Sequence, residues 1–191
     1  MLGISFTEKD IIKCEAIFND DHTHRYLWKR VWNKDKPLAC VIMLNPCLAD
    51  NILTDTTTAL VVNNIARQDR FGGVEIVNLY SVLTNHLNFR WHPDEELNHA
   101  DNDTFIQQSA NRCDVVILAW GKGATTHQRI TTRVDAVLSL LEPYKSKLFV
   151  LSDGERSGLH PLTPALRSHW ELETFSYPDS DDSAAMEEEA G

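Results

Sequence analysis

No stretch of this sequence approaches the roughly 20 consecutive apolar residues that a bilayer-spanning helix needs, so no membrane span is expected. The N-terminal MLGISFTEKDIIK has neither the apolar core nor the small-residue cleavage site of a secretory leader, and a cytoplasmic location is the expectation. Cysteine is scarce. Cys14, Cys40, Cys47 and Cys113 form no C-x-x-C pair, and most lie in or beside apolar runs, as buried thiols do. Histidine gives no zinc pattern either: His22 and His24 sit two apart on a turn, and His86, His92 and His99 lack helical ligand spacing. The G-x-S-x-G of a hydrolase nucleophile is missing, and Gly121 and Gly123 fit neither phosphate-binding fingerprint. No metal and no cofactor are expected.

Positive charge is also in short supply. Eighteen bases face 28 acids, a net charge of −10, which argues against binding nucleic acid by charge alone. The acids are unevenly placed. Asp179, Asp181, Asp182, Glu187, Glu188 and Glu189 crowd the last thirteen residues, which carry no base and read as a disordered tail over 179–191. The rest, residues 1–178, reads as one domain and is only mildly acidic, so a local basic groove remains open.

What the sequence does have is a recurring run of β-prone apolar residues. ACVIML (39–44), VEIVNL (74–79), DVVILAW (114–120) and KLFVLS (147–152) each suit a parallel strand covered on both faces. Helical stretches alternate with them. The clearest is 125–141, with Ile130, Val134, Val137, Leu138 and Leu141 at helical spacing; 55–68 and about 98–112 are weaker. Thr54 or Asp55 offers an N-cap for the first. Upstream, two runs around the turn signal NDD predict a β-hairpin, Cys14–Phe18 with Arg25–Trp32. The expected fold class is therefore α/β: three layers, α/β/α, on a four-stranded parallel sheet, with an N-terminal hairpin. Right-handed crossovers put all four strand ends along one edge, outside which ligands bind in such folds.

Each strand ends on something polar or turn-forming. The first leads into Leu44-Asn45-Pro46-Cys47, the second ends on Asn78, the third runs into Gly121, and the fourth leads to His160. Each has an ordinary reading: Asn–Pro starts turns, a strand-end asparagine bonds backbone, and a histidine before proline is common in loops. Their arrival at corresponding strand ends is what makes them a candidate set.

The order of these motifs resembles the uracil-DNA glycosylase superfamily. The matching stretches are Leu44-Asn45-Pro46, Gly73 to Asn78 with Leu83-Thr84, Leu118 to Ala124, and His160-Pro161-Leu162-Thr163-Pro164. The chain is also similar, over nearly its whole length, to a bacterial and phage domain family of unknown function, through Leu44–Asp50, Val77–Leu79, Asn102-Asp103, Ala119–Gly121 and His160–Leu162. It departs from that family at Cys47 and Leu48, where Ser-Thr is usual.

The first resemblance implies a monofunctional DNA glycosylase that hydrolyses the N-glycosidic bond of a flipped pyrimidine. It implies Asn45 as the residue that positions water, with Asp50 or Asp55 contributing a carboxylate. It further implies His160 as donor to the base oxygen, Asn78 as reader of the base edge, and Pro46, Cys47, Tyr80 and Gly121 around the base. Cys47 replaces the bulky Tyr of the uracil-specific enzymes, which implies a base enlarged at C5, such as the hypermodified pyrimidines of phage DNA and hence a role in defence. Leu162 or Leu166 would fill the gap in the duplex, with Lys122, Arg156 and Arg167 holding phosphates. DNA is the expected partner of a monomer. Two other classes stay open: an enzyme on free nucleosides or nucleotides, and a non-catalytic binder of modified nucleic acid.

Overall fold

Ala39, Cys40, Val41, Ile42 and Met43 are buried one after another, and their alternation divides the core in two. Ala39, Val41 and Met43 pack with Val61 and Ile65 on one face of a sheet. Cys40 and Ile42 pack with Ile106, Ala110, Ile130 and Val137 on the other. Successive side chains of a strand point to opposite faces, so an unbroken apolar run forms where both faces are covered. Each fully buried aliphatic side chain in it contributes about 1.5–3 kcal/mol.

The computed structural model describes residues 12–47 and 54–177. In chain order the elements are β1 (Lys13–Phe18), β2 (Arg25–Val31), β3 (Leu38–Met43), α1 (Thr56–Arg67), β4 (Gly73–Asn78), α2 (Asp94–Leu97), α3 (Asn102–Arg112), β5 (Val115–Leu118), α4 (Gln128–Leu141), β6 (Leu148–Ser152) and β7 (Glu171–Thr174). All seven strands form one sheet in the order β1-β2-β4-β3-β5-β6-β7. The centre is parallel: β3 pairs with β4 and β5, and β5 with β6. Both ends are antiparallel, β1 and β2 at one side and β7 at the other. Helix α1 covers the face of Val41, while α3 and α4 cover that of Ile42.

The expected strands, helices and hairpin are present within a few residues, except that β5 is shorter at both ends. Helix α4 starts at Gln128, because Gly121–Thr125 forms a separate 3-10 turn. The strand count differs. The hairpin is part of the sheet, since β2 pairs with β4 from Trp28↔Ile76 to Val31↔Gly73. A seventh strand, β7, was not expected from the sequence. Its exposed Glu171 and Glu173 disguise a strand that pairs with β6 as a sheet edge. Cys40 and Cys113 are buried, but Cys14 is exposed on edge strand β1. Among the described residues no helix is long and apolar enough to cross a membrane. The acidic tail and Asp50 lie outside the described residues.

The order of the parallel strands sets the position of the crevice. From β3 the chain crosses to β4 on one side, then returns past β3 to β5 on the other. The gap between the C-terminal ends of β3 and β5 is thus the topological switch point, where ligands bind in open α/β sheets.

Candidate functional site

At that edge lies a cleft of about 260 Å³, on the α1 face of the sheet. It is lined by Arg25, Met43 to Cys47, Asp55, Thr57, Thr58, Thr84, Asn85, His160 and Leu162. Polar side chains therefore converge from the ends of β3, β4 and β6, from the start of β2 and from the first turn of α1. A larger groove of about 590 Å³ opens on the α4 face, but its arginines are already committed: Arg129 to Asp94, and Arg133 to Asp103. The smaller cleft is the better candidate because its polar groups converge inward.

Asn45 follows β3 by two residues. Its side-chain Nδ2 donates to the Thr84 carbonyl at 2.7 Å and to the Pro46 carbonyl at 3.2 Å. The Thr84 N–H returns a bond to the Pro46 carbonyl at 3.2 Å, so the loops after β3 and β4 are laced together through this amide. With Nδ2 used twice, the acceptor Oδ1 is the end left for a ligand or water.

His160 reaches the cleft because the chain after β6 turns back beside the sheet, with the Leu159 N–H on the Leu151 carbonyl at 3.1 Å. Its Nδ1 accepts the Leu162 N–H at 3.1 Å, which assigns the proton of the neutral ring to Nε2. Burial pushes the imidazole below its ordinary value, so the ring is neutral at pH 7 and Nε2–H is a fixed donor. Gly121 makes this approach possible. Its φ is +65°, and a Cβ there would lie 2.6 Å from the Cβ of His160 and 3.1 Å from its backbone N. Only glycine combines that conformation with that contact.

Asp55 is the N-cap of α1. Its Oδ1 accepts the Thr58 N–H at 3.0 Å and its Oδ2 the Thr58 hydroxyl at 2.6 Å. Burial acts to raise the carboxyl, but hydrogen bonds from the Thr58 side chain and backbone, the Cys47 side chain and the Thr57 backbone outweigh it, and the group lies below its ordinary value. Asp55 is thus in the cleft as an ionised, well-bonded cap, a weak base for activating water. Cys47 beside it is half-buried and small, and Pro46 is buried.

Several expected site residues stand elsewhere. Asn78 is 1% exposed and does not line the cleft; it lies in β3–β4 register with the cleft residue Met43. Neither end of its amide has a partner among the described residues. Its backbone is braced from behind, where the Asn102 Nδ2 donates to the Asn78 carbonyl at 3.0 Å. Tyr80 belongs to the opposite face: it lines the α4 groove, its hydroxyl donates to the Arg129 carbonyl at 3.0 Å, and burial pushes it up to about 12. Beyond the end of β4 the chain turns Tyr80 into the α4 side of the core, away from the cleft. Leu166 is 1% exposed and packs in the core with Trp170, so it is no wedge; Leu162, 41% exposed on the cleft rim, is the leucine available. Arg156 is tied to Asp153 through Nε and Nη2, at 3.1 and 2.5 Å, rather than held open for a phosphate. Lys122 and Arg167 are exposed.

Arg25 is one of the cleft residues that sequence reasoning missed. It is 1% exposed yet lines the cleft. The reason is a β-bulge. Ile17 pairs with Leu27, but Phe18 pairs with Arg25, so Tyr26 is an extra residue in β2. Strict alternation would put Arg25 on the face of Leu27, which packs in the α3–α4 core. The bulge re-aims it to the α1 face. Thr57, Thr58, Thr84 and Asn85 complete the lining; their one sequence signal was proximity to the Asp55 cap and the L-T pair. Among the described residues no three His, Cys, Asp or Glu side chains are grouped to hold a metal.

Comparison with known proteins places the chain in a family. No curated protein and no solved structure shows significant similarity to the chain. The model of the family described as "Protein of unknown function (DUF1643)" matches residues 25–162. That span begins at Arg25 and ends at Leu162, so it holds every residue that lines the cleft. The chain belongs to this family of proteins of unknown function.

Proposed function

We propose that the chain is a monofunctional DNA glycosylase that hydrolyses the N-glycosidic bond of an extruded pyrimidine carrying a substituent at C5. The reading is supported above all by one observation: Asn45 and His160, distant in sequence, line one cleft at the switch point of the sheet, each with a defined hydrogen-bonding end. The parallel centre with helices on both faces agrees with the three-layer fold that the motif resemblance implies. At about 260 Å³ the cleft is below the roughly 300–1,000 Å³ of drug-sized sites, a size for a single base.

In this reading the C1′–N1 bond breaks and its electron pair leaves with the base. Water adds to C1′, and its proton ends on the departed base. The Asn45 Oδ1 orients the water, and the His160 Nε2–H meets the charge growing on a base oxygen. A preorganised donor of that kind accounts for about 10²–10³ in rate. Cys47 leaves room beside Pro46 for the C5 substituent, and Leu162 fills the gap in the stack. Asn78, in register with the cleft residue Met43, has an amide without a partner among the described residues. Leaving such groups unsatisfied costs about 1–3 kcal/mol each; because Asn78 does not line the cleft, a base-reading role for it requires the wall at Met43 to move.

A second reading, an enzyme on free nucleosides, is favoured by the shortage of exposed basic side chains near the cleft, Arg156 being tied to Asp153. One experiment separates the two. The protein is incubated with DNAs carrying a panel of C5 substituents and with the matching nucleosides, and released base and alkali-labile sites are measured. Base release from DNA is expected, lost in Asn45→Ala and His160→Ala. Release from nucleosides alone would favour the second reading, and faster action on plain uracil than on every C5-modified DNA would remove the C5 assignment.

A further inference from the structure

Neither end of the Asn78 amide has a partner among the described residues, so no side chain or backbone group there fixes which way its Oδ1 and Nδ2 face. We propose that this amide turns over to suit the ligand. The site then takes both 4-amino pyrimidines, of the cytosine type, and 4-oxo pyrimidines, of the uracil type, with the Met43 side chain moving aside to admit them. The proposal rests on the reading of the cleft as a pyrimidine site and adds to it the class of base.

Position is the first support. Asn78 ends β4 in parallel register with Met43 of β3, so the two side chains stand on the same face, one strand spacing of about 4.8 Å apart. That is the α1 face, where Val74 and Ile76 of β4 pack in one cluster with Met43. Met43 lines the cleft and Asn78 does not, although both are buried. The amide is thus one side chain away from the cleft.

Rigidity is the second. The backbone at both strand ends is held. The Leu79 N–H donates to the Met43 carbonyl at 2.8 Å, the Tyr80 N–H to the Leu44 carbonyl at 2.9 Å, and the Asn102 Nδ2 to the Asn78 carbonyl at 3.0 Å. Access to the amide therefore needs a side chain to turn, not strands to part. Methionine is suited to that, being unbranched with three rotatable bonds. The β-branched Val41 and Ile42 that precede it are stiff at χ1 by comparison.

Chemistry is the third. An amide carries a donor and an acceptor side by side in one plane. A 4-oxo pyrimidine presents N3–H and an acceptor O4; a 4-amino pyrimidine presents an acceptor N3 and a donor N4–H, the reverse order. An amide tied at one end matches one of these, and such a site rejects the other by about 10⁴-fold, because its buried polar groups stay unpaired. An amide tied at neither end matches both after half a turn about its last side-chain bond. An apolar side chain of the same shape would fill this place in β4 and leave no polar atom unpaired, so the amide has a use that the fold itself does not supply.

The test is a binding measurement on the full chain. Free 5-hydroxymethylcytosine and free 5-hydroxymethyluracil are titrated into protein labelled for NMR at the asparagine side-chain nitrogens and the methionine methyls. Both bases are expected to shift the Asn78 and Met43 signals, with dissociation constants within about tenfold of each other. Asn78→Leu should weaken both by at least about tenfold while melting no lower than the wild type, which an amide needed only for structure would not allow. Met43→Ala, which removes the covering side chain, should tighten both by the same factor. A preference of more than about 100-fold for one base overturns the proposal, as do Asn78 signals that stay still while those of Asn45 respond. The same two bases are then placed in DNA and their release is measured. Binding of both through Asn78 without release from any DNA would remove the glycosylase reading and leave this inference standing. Neither binding nor release would remove the pyrimidine reading and this inference with it. Should either variant melt below the assay temperature, the wild-type titrations decide the outcome.

Discussion

His160 shows how a single hydrogen bond fixes a residue's chemistry. With Nδ1 taken by the Leu162 N–H, protonation would set two donors against each other and open the loop. Burial also disfavours the charged ring. The folded value is therefore below the ordinary 6.5, and the sign of the linkage follows. As pH falls below 6.5 the unfolded chain takes up a proton that the folded chain refuses. Stability is thus full above 6.5 and declines as pH drops through the folded value. The rate of base release should stay level through pH 6.5 and fall only further down, with the loop. An NMR titration should find the proton of His160 on Nε2 and a midpoint under 6.5. A midpoint at or above 6.5 would mean that the ring is a cation in use, not a neutral donor.

The position of His160 depends on the turn that follows the neighbouring strand. Gly121 opens the turn after β5 at positive φ, in contact with the His160 backbone. Gly121→Ala should cost about 1–3 kcal/mol of stability, from strain at that φ and from the displaced contact. It should lower the rate of base release by more than the small loss of folded protein accounts for, because the new methyl pushes His160 from the cleft wall. Thermal melting and single-turnover rates on the same preparation check both parts. The contact also shows what was legible. Four apolar runs and their polar ends could be read because burial on both faces and strand termination leave local signatures. Asn45, Gly121 and His160 were found that way. Arg25 was not, because its face depends on one residue's slip between β1 and β2, and alternation alone assigns it to the wrong side. Leu162 and Leu166 look alike in sequence. Only the 3-10 turn Pro164–Leu166 decides that the second enters the core. Strand β7 was hidden for a related reason, since an edge strand with exposed glutamates carries little apolar signal.

At the scale of the molecule, charge and topology pull in different directions. The sheet presents its switch point as a binding edge, while the chain as a whole carries −10. The proposed binding of DNA therefore does not depend on a broad basic surface. Of the three bases expected to hold phosphates, Arg156 is paired with Asp153, which leaves Lys122 and Arg167 exposed near the edge. In the proposed reading the energy of binding comes from the cleft and its rim, through the extruded base and Leu162, rather than from counterion release. Salt dependence measures the division. With about two phosphate contacts, the slope of log K against log salt on duplex DNA should be about −2, so that affinity falls only about tenfold between 50 and 200 mM. Lys122→Glu with Arg167→Glu should flatten that slope towards zero while leaving the preference for the modified base intact. Fluorescence anisotropy with modified and unmodified duplexes across that salt range reads both quantities. A slope of −5 or steeper would place the source of affinity on a basic surface away from the cleft, and the extruded base would lose its standing as the main contact.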